Sequence, residues 1–185
     1  NPLVGCVIAR GEEILAEAYH AQYGEAHAER AALANLAADL SLDGASLYVN
    51  LEPCAHHGQT PPCVDAVLSS GIKRVLIGQR DPNPKVDGRS LDLLQANGIK
   101  VITGVLEQEA RRLNAPFNKF MIVNRPFVFA KWAMSLDGKI AAHTGDSKWI
   151  TGEIARRRVH EIRGTCDAVV VGIGTALKDN PRLTR

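Results

Sequence analysis

Apolar and polar positions along this chain switch between two spacings, and the switches mark its elements. Residues 3–9 (LVGCVIA) are an unbroken apolar run with β-branched members, the pattern of a buried strand. Arg10-Gly11-Glu12-Glu13 turns the chain. Residues 14–19 then read as a second strand, antiparallel to the first because the connection is short. A polar loop follows over residues 20–25. Beyond it Ala28, Ala31, Ala32, Leu36 and Leu40 recur at helical spacing, which predicts a helix over 26–40. Residues 46–50 read as a third strand, 72–78 as a fourth and 99–103 as a fifth. Between them lie a helix over 63–70, with Pro61-Pro62 before it and Gly71 after it, and a helix over 89–96 stopped by Asn97-Gly98. The order β-β-α-β-α-β-α-β predicts an α/β sandwich with two early antiparallel strands and a parallel remainder.

The pattern then starts again. Residues 107–120 read as a helical connector, broken by Asn124-Arg125-Pro126. Residues 127–134 (FVFAKWAM) read as the start of a new sheet, and Asp137-Gly138 between apolar runs as a hairpin signal. Thr151-Gly152-Glu153 opens a helix that runs through Ile162, and residues 167–172 (DAVVVG) read as a buried strand. Two domains are therefore expected, 1–124 and 125–185, the second thin for an independent core.

Composition narrows the class. Of 185 residues, 45% are hydrophobic and 23% charged, a globular balance. A formal net charge of +2 gives no reason to expect nucleic acid or a membrane surface as partner. No apolar run reaches bilayer length. Cys6 and Cys166 lie in strand-like apolar contexts and read as small buried hydrophobes, not a disulfide, so a cytoplasmic, reducing location is expected. The chain opens on Asn1-Pro2 and not Met, which suggests a missing N-terminal part.

The candidate chemistry lies between His27 and Cys63. His27-Ala28-Glu29 is followed by Pro53-Cys54 and then Cys63. One imidazole and two thiolates suit zinc, and three protein ligands leave a fourth position for water, whose pKa the metal lowers. Glu29, two residues from the histidine, is placed to carry protons without binding the metal. Zinc deaminases combine H-x-E with P-C-x-x-C in this way. Here the second cysteine arrives later, after Ala55-His56-His57-Gly58-Gln59-Thr60-Pro61-Pro62. Glu52 is read in two ways, as a substrate contact or as a group that orients the loop.

His-Ala-Glu with Pro-Cys-x-His-x-Gly-x-Thr-Pro-Pro-Cys resembles the bifunctional riboflavin-biosynthesis deaminase/reductase family. The resemblance implies a cytidine-deaminase-like α/β/α sandwich with a mixed five-stranded sheet, followed by an incomplete dihydrofolate-reductase-like α/β domain. It implies zinc on His27, Cys54 and Cys63, with Glu29 as the catalytic acid/base. The implied reaction is hydrolytic deamination of 2,5-diamino-6-(5-phosphoribosylamino)pyrimidin-4(3H)-one. Asn1, His20 and His56 match substrate positions of this half. Gln59 stands where many members carry Lys or Arg, which puts a charged phosphate contact there in doubt; Lys85 or Arg89 would be replacements.

The run from Lys131 through Lys139, and then Ser147-Lys148-Trp149-Ile150-Thr151-Gly152, resembles the start of the same family's NADPH-dependent reductase. By that resemblance Ala133, Trp149, Thr175 and Asp179 contact the dinucleotide, and Ser147, Arg163 and Leu183 contact the substrate, with Arg185 near a further substrate position. Read without the family, Trp149 would be core. The stretch is short of a whole reductase, so weak or no NADPH binding is expected of these residues alone, and micromolar binding in a fluorescence titration would contradict it. Two rival readings are a superfamily deaminase acting on a nucleoside or tRNA, and a zinc-stapled module without turnover. The former should carry a basic, aromatic face, and aromatics are 5% here. The implied fold often associates through its helices, so a homo-oligomer is left open.

Overall fold

The computed structural model describes residues 1–84 and 86–184. Lys85 and Arg185, both named above, lie outside the described residues. The chain divides into two compact units, Asn1–Val128 and Phe129–Arg185.

The first unit is built on one five-stranded sheet. Its strands are β1 (Gly5–Arg10), β2 (Glu13–Tyr19), β3 (Ser46–Leu51), β4 (Arg74–Gln79) and β5 (Lys100–Thr103), in the order β2-β1-β3-β4-β5. β1 pairs antiparallel with both β2 and β3, whereas β3, β4 and β5 run parallel. Register explains the core. Ile8 lies opposite Leu47, and Leu47 opposite Val75; Cys6 lies opposite Val49, and Val49 opposite Ile77. These two rows are buried with Ala28 and Ala32 of α1 (Ala28–Ala34), Val64 and Val67 of α2 (Cys63–Ser69), and Leu94 of α3 (Arg89–Ala96). Each such aliphatic side chain contributes about 1.5–3 kcal/mol through burial. α4 (Glu107–Leu113) packs on β4 and β3. Gly78 allows that approach, because a Cβ there would stand 3.0 Å from the Ala110 Cβ and 2.8 Å from the Asn50 carbonyl oxygen.

Strand directions bring four loops to one end of the sheet. Gly5 is opposite Tyr19 and Leu51 is opposite Gln79. The approach to β1 and the exits of β2, β3 and β4 therefore emerge together, at the carboxyl ends where open α/β sheets place their ligands. Side-chain amides lock this end. Asn50 donates to the Leu3 carbonyl at 2.8 Å and accepts from the Gly5 N–H at 2.8 Å. Asn114 accepts from the Leu3 N–H at 2.7 Å and donates to the Leu3 carbonyl at 3.0 Å.

Several elements differ from the pattern reading. The helix expected over 26–40 ends at Ala34, because Asn35 caps it and donates its side-chain amide to the Glu17 carbonyl at 3.1 Å. His27 is therefore the N-cap of α1 and not part of its first turn. The connector is two helices, α4 and α5 (Ala115–Val123), parted at Asn114 with Pro116 in the first turn of the second. Asn118 of α5 exchanges hydrogen bonds with Gln79 at 2.9 and 3.1 Å in the interior.

The second unit holds α6 (Glu153–Gly164) and α7 (Ile173–Asp179). The strands expected over 127–134 and 167–172 are not formed among the described residues: both stretches are irregular, and Val170 is 91% exposed. An apolar run becomes a strand only when a neighbour takes up its backbone donors and acceptors. Asp137-Gly138 does turn the chain, with Ser135 and Lys139 bonded across it at 2.9 Å, but no ladder extends from the turn. Cys166 follows α6, half-buried, and does not sit in a strand.

Candidate active site

His27, Cys54 and Cys63 meet at the loop end of the sheet. The Nδ1 of His27 lies 3.5 Å from the Cys54 sulfur and 3.3 Å from the Cys63 sulfur, and the ligand atoms of all three lie within 4.8 Å of one another. A tetrahedral ion with Zn–S near 2.3 Å and Zn–N near 2.05 Å requires an N···S separation of roughly 3.5 Å. The donor set and its spacing therefore fit zinc without rearrangement. Each ligand comes from a fixed place. His27 caps α1, Cys54 follows β3 through Pro53, and Cys63 opens α2. The Cys63 N–H also donates to the Cys54 sulfur at 3.3 Å, and the Val64 N–H to the Cys54 carbonyl at 3.2 Å, closing the insert between the cysteines into a loop. Among the described residues this trio is the group of His, Cys, Asp or Glu side chains close enough to share an ion.

The protons of the cluster are arranged accordingly. The Cys54 thiol is pulled down to about 4 by the hydrogen bond from Cys63, against the opposing effect of burial. As donor in that bond, and buried, Cys63 is pushed up. His27 is raised by its hydrogen bond with Cys54. A metal would displace the remaining thiol proton. Glu29, in the first turn of α1, is 3% exposed. Burial raises its pKa, opposed by its own backbone hydrogen bond, by the charge of His27 and by a side-chain hydrogen bond with Cys63. A carboxyl that holds a proton more firmly than usual, beside a metal cluster, is suited to proton transfer near neutral pH.

Other residues singled out above stand around the cluster to different extents. The His20 ring meets the His27 ring edge-on at 5.4 Å between centroids, while its Nδ1 is 3.1 Å from the Ala26 carbonyl oxygen. The Nδ1 of His56 and the hydroxyl of Thr60 are buried and have no hydrogen-bond partner among the described residues, an arrangement that leaves them for a ligand or water. Asn1 is exposed at the head of the segment that Asn50 and Asn114 clamp. His57 is exposed. Gln59 donates to the Tyr23 hydroxyl at 2.8 Å, joining the loop after β2 to the loop after β3. Arg30 is half-buried, and its guanidinium is 3.4 Å from the Pro62 carbonyl. Arg89 heads α3, exposed. Pattern reading gave Asp81 no role; it is 8% exposed, held up to about 6 by burial, and it feels the charges of Glu52, His56 and Cys54. The run Asp81-Pro82-Asn83-Pro84 is its only signal. A cleft of about 690 Å³ lined by Leu33, Leu36, Leu40 and Ala66 lies off the ligand trio.

In the second unit, Thr175 and Asp179 lie one turn apart on α7, and Arg163 lies in the last turn of α6. Trp149 is exposed, with the Arg156 guanidinium 4.5 Å over its ring, so it is not core. Ala133 and Ser147 are half-buried in irregular stretches, and Leu183 is exposed. A cleft of about 670 Å³ is lined by Ser135, Lys139, Ala141, Ala142, His143 and Ile150, none of them among the expected contacts.

Comparison with known proteins fits this division. Residues 1–79 match the model of the cytidine and deoxycytidylate deaminase zinc-binding region, and residues 126–185 that of the RibD C-terminal domain. The chain is 51% identical over 183 residues to riboflavin biosynthesis protein RibD of Actinobacillus pleuropneumoniae, an alignment covering 99% of this chain and 48% of that protein. The chain belongs to the RibD family. Among solved RibD structures, the diaminohydroxyphosphoribosylaminopyrimidine deaminase/5-amino-6-(5-phosphoribosylamino)uracil reductase of Thermotoga maritima is similar at TM-score 0.90 and 50% identity, over 98% of this chain and 52% of that one. RibD of Acinetobacter baumannii is similar at TM-score 0.88 and 43% identity, over 99% and 51%. The chain thus spans about half the length of the RibD proteins it matches. Among the described residues, no helix is long and apolar enough to cross a membrane.

Proposed function

We propose that residues 1–124 are a zinc deaminase domain acting on 2,5-diamino-6-(5-phosphoribosylamino)pyrimidin-4(3H)-one, and that residues 125–185 are the first part of an NADPH-dependent reductase domain. The observation that carries the reading is the approach of one imidazole and two sulfurs to zinc-ligand spacing, with a buried carboxylate two residues from the imidazole. His27, Cys54 and Cys63 hold the ion. When bound, zinc acts as a Lewis acid that brings the pKa of a water in its fourth position toward neutrality. Glu29 would take one proton from that water and pass it to the pyrimidine ring nitrogen, and would then carry a second proton, from the hydroxyl left on the ring carbon, to the departing amine. The ring carbon exchanges its C–N bond for C–O, and ammonia leaves. His20, His56 and Asn1 orient the pyrimidine. The unpartnered Nδ1 of His56 supports its part in this.

In the second domain, Ala133, Trp149, Thr175 and Asp179 are the proposed dinucleotide contacts, and Ser147, Arg163 and Leu183 the proposed substrate contacts, for reduction of the ribosyl group. The location is cytoplasmic, and self-association through the helices, to be read by sedimentation, completes the reading. The deciding experiment is ammonia release from the phosphoribosyl pyrimidine with and without a chelator. Release that stops on chelation, while circular dichroism shows the chain still folded, supports a catalytic ion. Unfolding on chelation supports a structural one.

A further inference from the structure

One buried carboxylate of the first unit has no part in the proton transfer just described. Glu52 is 3% exposed and directly precedes Pro53-Cys54. Its Oε1 accepts from the Gly88 N–H at 2.9 Å and from the Ser90 hydroxyl at 2.7 Å. Its Oε2 accepts from the Asp81 N–H at 3.2 Å and from the Gly88 N–H at 3.1 Å. Three protein donors thus engage both oxygens of a carboxylate that is almost entirely buried.

The donors are as informative as the acceptor. Gly88 is the N-cap of α3 and Ser90 lies in its first turn, so the residue that follows β3 supplies the negative charge that a helix start favours. Gly88 has φ +83, and a Cβ there would run into the Arg80 guanidinium. Only glycine presents its N–H to Glu52 in this geometry. At its other end the tie reaches Asp81, which lies close enough to His56 and Cys54 to feel their charges.

We propose that Glu52 is a positioning residue that locks Asp81 and the head of α3 against the His56–Cys54 side of the site, fixing the width of the substrate mouth without touching the reacting atoms. The proposal rests on the deaminase reading. It decides between the two roles open to Glu52 in the sequence, in favour of the loop.

The test is Glu52→Gln in the zinc-loaded protein, which turns one acceptor oxygen into a donor facing N–H groups. Zinc content should stay stoichiometric, KM for the phosphoribosyl pyrimidine should rise about tenfold or more, and kcat should stay within about threefold. The amide protons of Asp81 and Gly88 should exchange faster, while those of β3 stay protected. Ser90→Ala removes one of the four contacts and should raise KM by about threefold, and the double variant should be no worse than Glu52→Gln alone. A fall in kcat of about a hundredfold at unchanged KM would make Glu52 part of the chemistry and overturn the proposal. So would unchanged KM, whether in Glu52→Gln or, if that variant does not fold, in folded Ser90→Ala. If the parent protein releases no ammonia at all, the deaminase reading falls; amide exchange then decides, and unchanged exchange at Asp81 and Gly88 overturns the tie.

Discussion

Two apolar runs of similar make-up meet different fates in the two units. Residues 5–10 (GCVIAR) become β1, with β2 on one side and β3 on the other, and Ile8 is fully buried. Residues 167–172 (DAVVVG) form no strand, and Val170 stands 91% exposed. Composition does not separate them. The first run has partners that satisfy its backbone and helices that cover its side chains; the second has neither among the described residues. A strand is a property of the sheet that receives it, and the first unit alone combines a closed core with a cluster of metal-binding side chains.

That contrast can be broken at several points. The largest effect is expected at Glu29. Glu29→Gln should keep full zinc content and lower the kcat of ammonia release by about a thousandfold or more; an active variant with zinc in place would remove the assigned proton carrier. Next is the core. Leu47→Ala should cost about 3–5 kcal/mol in urea unfolding, because Leu47 is fully buried between Ile8 and Val75. A loss below 1 kcal/mol would mean that the packed rows do not carry the stability of the unit.

A smaller effect should appear with pH. Burial holds the Asp81 carboxyl at about 6, above its ordinary 3.8. The folded chain therefore keeps this proton where the unfolded chain has lost it. The stability contributed is full below about pH 4 and is lost as pH rises through 6, by no more than about 3 kcal/mol. Asp81→Asn has no proton to lose, so its stability relative to the parent should climb between pH 4 and 7. A pH-independent difference would contradict the buried-carboxyl account. The smallest effect is expected in the second unit: Val170→Ala should shift stability by no more than about 0.5 kcal/mol. A loss as large as that of Leu47→Ala would erase the difference between the units.

What the sequence made legible follows the range of the interactions. The five strands and α2 and α3 were readable within two residues, because spacing, prolines and glycines are local signals. The grouping of His27, Cys54 and Cys63 was readable because chemistry restricts the residue types. The early end of α1 was not, since it depends on Asn35 finding the Glu17 carbonyl. Nor was the split of the connector at Asn114, which the amide's bonds to Leu3 help to fix. Glu52 was ambiguous for the same reason: its donors lie beyond residue 80 and appear only once the sheet is assembled. The missing strands of the second unit show the opposite error, a local signal with no distant partner.

The clamp on Leu3 has a consequence in time. Its N–H is held by a side chain 111 positions further along, so on a ribosome Leu3 cannot settle into this clamp before Asn114 has emerged. Until then the corner of the molecule where Asn1 sits is unfinished, even if the sheet behind it has formed. Domains generally fold as units, and in this one a segment made before the sheet is complete is fastened only after the sheet's last strand has been made.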